Sequence, residues 1–462
     1  VNEHHAGVPV GACGSALERR AVRLAITDIK AYAHLSEDDV RQLGAALDAI
    51  RADVEASRGL RDHRYIHNTI RLQRVLEVAG RCALQFAHKR PTRVAGTTLL
   101  TFAKIIENME LGHNISHGQW DWMNDPEIHS TSWEWDMSGT SAQWRTAHNY
   151  SHHVYTNIVG MDEDVGFGIL RMTRDEPWRP INLAQPVANV ILALGFEWGI
   201  ALHDLGAQKE RDGVPRNDVL SEPNLQFWRK AGRQLSKDFL LFPLLAGRNF
   251  RATFTANLTA NVLRNLWTYA VIFCGHFPDG AEKFTVEQYA TETRAEWYLR
   301  QMLGSANFRA GPVMAFLSGN LCYQIEHHLF PDLPSNRLAE ISVRVRALCE
   351  QYDLPYTTGS LAKQYVLAFR TIHKLALPDE WLWRTSDDAP ETASELRFAG
   401  ERTDGVGGGR RRGLASALRE LRTSRRGGRR RRRGPDVGVD APGAGIATAP
   451  SSVDPAAARA TH

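Results

Sequence analysis

The chain has 462 residues, 43% of them hydrophobic, and a mean hydropathy of -0.35; it is long enough for one large domain or two ordinary ones and too polar to lie in lipid throughout. Its net charge of +4 arises in residues 401–435, where thirteen Arg face only Glu401, Asp404 and Glu420, so the body is mildly acidic and the basic pI is no argument for nucleic-acid binding. Five scattered Cys (Cys13, Cys82, Cys274, Cys322, Cys349) with no Cys-x-x-Cys pair argue against a disulfide framework, a zinc ribbon or an iron–sulfur cluster built by this chain alone, and suit a reducing, cytosol-facing location.

The first thirty residues carry Glu3, Glu18, Arg19, Arg20 and Arg23 without an apolar h-region, so no signal peptide is read there, and residues 1–20 read as poorly ordered. The run from Ser36 to Asp39 has the form of a helix N-cap with acids in the first turn. Val40, Leu43, Leu47, Ile50 and Val54 follow at helical spacing and predict a soluble packing helix. Residues 94–112 begin apolar and gain charge toward a His pair. Residues 182–203 are apolar apart from Glu197 and long enough to span a bilayer, which takes about 20 residues. A short apolar run at 239–246 suits a re-entrant or interfacial segment. Residues 254–277 form the last candidate span, with Arg264 near its middle. A charge at mid-bilayer costs roughly 2.5–3.5 kcal/mol, so Arg264 is expected to face protein or an interface. From 335 to 375 amphipathic helix returns. Beyond 400 the Gly-, Arg-, Ala- and Pro-rich composition predicts a disordered tail.

Three histidine groups punctuate this pattern: His113 and His117; His148, His152 and His153; and His327 and His328, preceded by Gln324. Residues four apart share a helix face, so each of the first two groups can aim imidazoles at one point, and imidazole is the commonest metal ligand near neutral pH. Asn114 stands where a His-Glu-x-x-His metalloprotease carries its general base, so that chemistry is absent. A catalytic zinc uses three protein ligands; seven imidazoles favour two metals. His276, at the end of the last candidate span, is well placed as a further ligand. His129 reads as structural, and the isolated His34, His63, His203 and His373 as surface or core residues.

At these residues the chain resembles the membrane fatty-acid desaturase family. The resemblance is carried by Gly112-His-Asn-Ile-Ser-His117, by Arg145-Thr-Ala-His-Asn-Tyr-Ser-His-His-Val-Tyr-Thr-Asn157 and by Gln324-Ile-Glu-His-His-Leu-Phe-Pro331. The run Gly118-Gln-Trp-Asp-Trp-Met-Asn-Asp-Pro-Glu-Ile-His129 is similar to the mycobacterial-type acyl-CoA desaturases (stearoyl-CoA Δ9 type). The resemblance implies an all-α integral membrane fold, with about four transmembrane helices and a cytosolic helical cap holding a di-iron site. It divides the chain into an N-terminal cytosolic segment (1–60), a desaturase domain (61–375) and a C-terminal tail (376–462).

The implied iron ligands are His113, His117, His148, His152, His153, His276, His327 and His328. Gln324 stands where many relatives have a further His, so its metal contact is doubtful. Ile272 stands where some relatives carry an Asn that reaches the metal through water. The implied reaction is O2-dependent dehydrogenation of a long-chain acyl-CoA or lipid-linked acyl chain, leaving a cis mid-chain double bond and water. Substrate selection falls to an apolar tunnel, to whose walls Trp120, Trp122, Trp133, Trp135 and Trp144 are candidates. The chain has no dinucleotide-binding Gly-rich motif, no thiolate cluster and no His-Pro-Gly-Gly haem motif. Electrons are therefore expected from a separate NADPH-dependent flavin and iron–sulfur reductase, at the cell membrane with the site facing the cytoplasm. An alkyl hydroxylase, a front-end linoleoyl-type desaturase and a non-catalytic membrane metal-binding protein remain as alternatives.

Overall fold

Ser36 starts the first long helix as its sequence requires: its hydroxyl accepts from the Asp39 N–H at 3.1 Å while the Asp39 carboxylate accepts from the Ser36 N–H at 2.9 Å. The computed structural model describes Ile26, Ile29 and residues 31–378 apart from Arg174, Arg216, Asp279 and Gly280. The expectations for residues 1–20 and for the Arg-rich tail lie outside the described residues. Helix α1, Glu37–Ala56, buries Val40, Leu43, Leu47, Ile50 and Val54, each worth about 1.5–3 kcal/mol on full burial.

Two long helices follow, α2 (Leu60–Leu84) and α3 (Arg90–Ile106), packed on each other. The α3 rod continues as a π-helical stretch, Glu107–His113, and a last turn, Asn114–Ser116. A loop leads to α4 (Ser141–Trp144), which runs on through a second π-helical stretch, Arg145–His152, into His153–Tyr155. Next come α5 (Gln185–Leu194), α6 (Phe196–Arg211), α7 (Glu222–Ser236) and α8 (Phe250–His276), the last packed against α3. The remainder is α9 (Arg294–Gly304), strand β1 (Asn307–Arg309), α10 (Gln324–Leu329), α11 (Leu338–Gln351), strand β2 (Thr358–Ser360) and α12 (Leu361–Leu375). The strands form one short parallel pair, Asn307 opposite Thr358. The fold is therefore almost wholly helical. Beneath α10 a core of Leu43, Leu47, Tyr298, Leu299, Ile325 and Ile341 joins α1, α9, α10 and α11.

Parts of α2, α3 and α8 turn polar residues inward and apolar residues outward. On α8, Asn257, Asn261, Arg264, Asn265 and Thr268 make a buried stripe, whereas Leu258, Leu263 and Leu266 are exposed. On α2, Gln73 and Arg81 are buried and Leu72, Val75 and Val78 exposed; on α3, Lys104 is buried and Val94 and Phe102 exposed. The buried charges are paired. Lys104 lies 3.1 Å from Asp136 and 2.8 Å from Asp238, and Arg81 lies 2.7 Å from Asp238. Arg264 faces protein, 2.7 Å from Glu197.

Two expected segments differ in shape. The straight span over 182–203 is instead a bent pair, Pro180–Leu194 with Phe196–Arg211, folded by 101° at Gly195. A Cβ on Gly199 would meet the Cδ1 tip of the Leu192 side chain, which would have to shift. The helix expected over 335–375 is divided into α11 and α12, because Asp353 takes a left-handed φ of 51° just before Pro355, which has no N–H to continue a helix; β2 then pairs with β1. Among the described residues no single helix is long and apolar enough to cross a membrane, and the bent pair is by length and composition. The 239–246 run is a π-helical stretch and a short helix, with Leu240, Leu241, Leu244 and Leu245 exposed.

Candidate metal centre

The first histidine pair sits where the π-helical stretch of the α3 rod closes. The His117 N–H bonds the His113 carbonyl at 3.2 Å, so the four-residue spacing keeps both rings on one face, with centroids 4.7 Å apart. The second group is on the other π-helical stretch, where the His153 N–H bonds the His148 carbonyl. A ladder of i→i+5 bonds places His152 and His153 to either side of the position above His148. Such π segments are frequent at functional sites, and a regular α-helix would have turned one of the three rings away.

Helix α10 brings His327 and His328 to the same place, and all seven rings are buried. They sort into two sets. The ligand nitrogens of His113, His117, His148 and His327 lie within 4.8 Å of one another, as do those of His152, His153 and His328. His276, the last residue of α8, has its ring 4.7 Å from that of His152 and 4.9 Å from that of His328, which places it beside the second set. Gln324 Nε2 is 3.0 Å from His276 Nε2, and its side-chain oxygen is buried without a partner.

The nitrogens facing inward have no protein partner. Buried and unbonded are Nε2 of His117, His148, His152 and His328, Nδ1 of His276, and both ring nitrogens of His153 and His327. A buried polar atom without a partner is rare in a native structure and calls for a reason. Here the orphans converge, and an all-imidazole donor set suits iron, zinc, copper or nickel, not calcium or magnesium. Burial pushes His113 down to about 3 and holds His117, His153, His327 and His328 well below the ordinary histidine range. These rings are neutral, with lone pairs free for a metal.

Four of the outward nitrogens are held. His148 Nδ1 is 3.0 Å from Asp164, His152 Nδ1 3.0 Å from Asp162, His113 Nδ1 2.9 Å from the Asn114 side-chain oxygen and His328 Nδ1 3.0 Å from Gln301 Oε1. Such partners fix the tautomer and raise ligand basicity. At His152 burial opposes the proton, but Asp162 and Asp164 outweigh it and raise its pKa. Burial likewise opposes ionisation of Asp164, and bonds from His148 and His203 reverse that, leaving its carboxyl well below the usual range.

Sequence reasoning missed Asp162, Asp164 and Gln301. The two acids had a local signal, being the carboxylates just after the second box, whereas Gln301 is brought from α9 by the fold alone. His203, read as a surface or core residue, bonds Asp164 at 3.1 Å. His129 stays in its own turn, bonded to Thr131 at 2.9 Å. His34, His63 and His373 lie apart from both sets: His34 bonds the Tyr352 carbonyl, His63 packs on His67 and His373 on Phe369. Ile272 packs in the aromatic core around Phe273. Of the five Trp residues, Trp144 touches the site, stacked 4.4 Å from His148; Trp120 packs among Ile66, Ile106 and Leu111, and Trp135 beside Trp144 and Met137. An apolar pocket of about 410 Å³ opens between α2, α3 and residues 312–317, lined by Leu72, Leu76, Phe102, Ile106, Val313 and Phe316 among others and by none of these Trp.

Comparison with known proteins agrees with this centre. The chain is 57% identical over 411 residues to the NADPH-dependent stearoyl-CoA 9-desaturase of Mycobacterium tuberculosis (strains CDC 1551 and H37Rv), covering 87% of this chain and 96% of that protein. It is 25% identical over 277 residues to the sn-1 linoleoyl-lipid 6-desaturase of Synechocystis, covering 58% of this chain and 75% of the other. The fatty acid desaturase family model matches residues 91–360, which takes in all three histidine groups and His276. With that match over more than half its length, the chain belongs to the fatty acid desaturase family and is an oxidoreductase.

Proposed function

We propose that the chain inserts a cis mid-chain (Δ9) double bond into a long-chain fatty acyl-CoA, stearoyl-CoA being the substrate class named for its Mycobacterium relative. In balanced form, NADPH, a proton and O2 remove two hydrogens from adjacent methylenes and yield NADP+ and two waters. The observation that carries this reading is the convergence of buried, unpartnered imidazole nitrogens into two adjacent sets.

Two iron ions suit these sets, held by His113, His117, His148 and His327 in one and by His152, His153, His276 and His328 in the other. Iron so bound would supply the reduction of O2 that C–H cleavage requires. The protein's part is to keep His113, His117, His148, His153, His327 and His328 neutral by burial, to orient His113, His148, His152 and His328 through Asn114, Asp164, Asp162 and Gln301, and to exclude water. Electrons are assigned to a separate NADPH-dependent reductase with flavin and iron–sulfur groups.

The same reading puts the chain in the cell membrane as a multi-pass protein with the histidine centre facing the cytoplasm. Supporting it are the outward apolar faces of α2, α5 and α8, with Val75, Val187, Ile191 and Leu258 exposed. Soluble monomers rarely leave such patches uncovered, and polar groups in membrane helices face the bundle interior, as Asn261 and Arg264 do here.

Expression of the full chain with a reductase in a host lacking unsaturated fatty acids, with products identified by gas chromatography–mass spectrometry, tests the reading. A Δ9 monounsaturated product that vanishes in His152→Ala supports it. A hydroxy-acyl product, or unsaturation only of already unsaturated chains, refutes it.

A further inference from the structure

His203 lies on α6, far in sequence from every histidine group, and its Nε2 is 3.1 Å from Asp164 Oδ1. The other oxygen of that carboxylate is 3.0 Å from His148 Nδ1 and 4.0 Å from His152 Nδ1. Asp164 therefore stands between the two metal sets, since His148 belongs to one and His152 to the other. Its backbone N–H donates to Asp162 at 3.0 Å, which leaves its side chain to be oriented by His203 from one side and His148 from the other.

The His203 ring is itself held with care. Phe167 meets it edge to face at 5.6 Å, and the same phenyl ring packs on Phe196, Phe273 and Phe277. Phe167 takes a left-handed φ of 53° between Gly166 (73°) and Gly168 (66°). For a bulky residue that conformation is strained and persists only where the surroundings over-determine it. The strained turn delivers Phe167 to the face of α6 that carries His203.

We infer that His203 is a positioning residue of the metal centre: by donating to Asp164 it fixes the carboxylate that orients His148 and steadies His152, and so sets the affinity of both metal sets. The inference rests on the metal-centre reading above and adds a residue that the histidine boxes do not contain. His203 touches neither set and is reached only through Asp164.

The test uses the full chain loaded anaerobically with iron(II) and challenged with a graded chelator, the readouts being iron retained per chain and the thermal midpoint of the metal-free protein. His203→Phe keeps the aromatic packing and loses the donor. It is expected to lower iron affinity about 10-fold or more, as removal of such orienting partners does, a loss larger than the fall in the metal-free midpoint accounts for. His203→Gln keeps a donor and is expected to restore affinity. In an Asp164→Asn background His203→Phe is expected to change nothing further, because the two act in series. His203→Leu carries the same comparison if His203→Phe does not fold. Equal iron retention by wild type and His203→Phe overturns the inference, as does failure of His203→Gln to restore it or an additive effect with Asp164→Asn. A wild-type chain that takes up no metal overturns the metal-centre reading itself, and the inference with it.

Discussion

Arg264 on α8 and Glu197 on α6 form a buried ion pair, 2.7 Å between nitrogen and oxygen. Each is the lone charge in an otherwise apolar stretch of sequence, and Arg264 looked like an objection to a spanning helix. Together they cancel. Arg264 also bonds the Asn261 and Asn265 side-chain oxygens and the Met137 sulfur, so its charge is distributed over the bundle interior.

Removing one partner strands the other. Arg264→Met is expected to destabilise the chain by about 3–5 kcal/mol, the range for breaking a buried pair. The double variant Arg264→Met with Glu197→Leu should recover most of that loss. Denaturant unfolding of the three proteins in detergent decides it, and a double variant as unstable as the single one would show that the pair is not what Arg264 contributes.

The elbow at Gly195 makes a second prediction. Gly199→Ala pushes a methyl onto the Leu192 tip; an overpacking cost of about 1–3 kcal/mol is offset by about 1 kcal/mol of helix propensity gained over Gly, so a net cost of up to about 2 kcal/mol is expected. Leu192→Ala in the same chain should relieve part of the clash. Thermal midpoints of the two singles and the double measure the coupling, which should be non-additive.

The two histidine sets should also be separable. His117→Ala removes a ligand from one set and His328→Ala from the other, so metal content is expected to fall to about one ion per chain in either variant. Metal analysis after gel filtration provides the count, and no change in either variant would refute the two-set assignment.

The buried histidines should pull the stability of the metal-free chain down on acidification. His113, His117, His148, His153, His327 and His328 all have folded-state pKa values depressed by burial, against about 6.5 when unfolded. Below that value the unfolded chain binds protons that the fold refuses, so stability present above about pH 6.5 is lost as pH drops toward the folded values. His152 and His203 act with the opposite sign, since their pKa values are raised, and so do the buried Glu107, Glu110 and Glu326, whose carboxyls burial pushes up to about 8, 7 and 7; the histidine share is the part of the pH dependence that His117→Ala reduces. Unfolding midpoints of chelator-treated wild type and His117→Ala at pH 7.5 and 5.5 test the sign of that share, and bound metal should flatten the dependence by excluding protons.

What the sequence determined by itself was local or repetitive. The Ser36 cap, the Val40-to-Val54 stripe and the histidine spacings are set by neighbours within a turn or two, and all can be read from residue order. The tertiary structure decided what depends on distant partners. It alone shows that Arg264 meets Glu197, that Lys104 and Arg81 meet Asp238, and that the long helices therefore carry their polar stripes inward. That inversion explains the weak hydropathy of the candidate spans, because an average along a helix mixes a paired interior face with an apolar exterior one. The π-helical stretches that aim His148, His152 and His153 are equally beyond a four-residue rule. The orienting shell of Asp162, Asp164, Gln301 and His203 is assembled from three segments, and a hydrogen bond between such segments leaves no periodic trace in the chain.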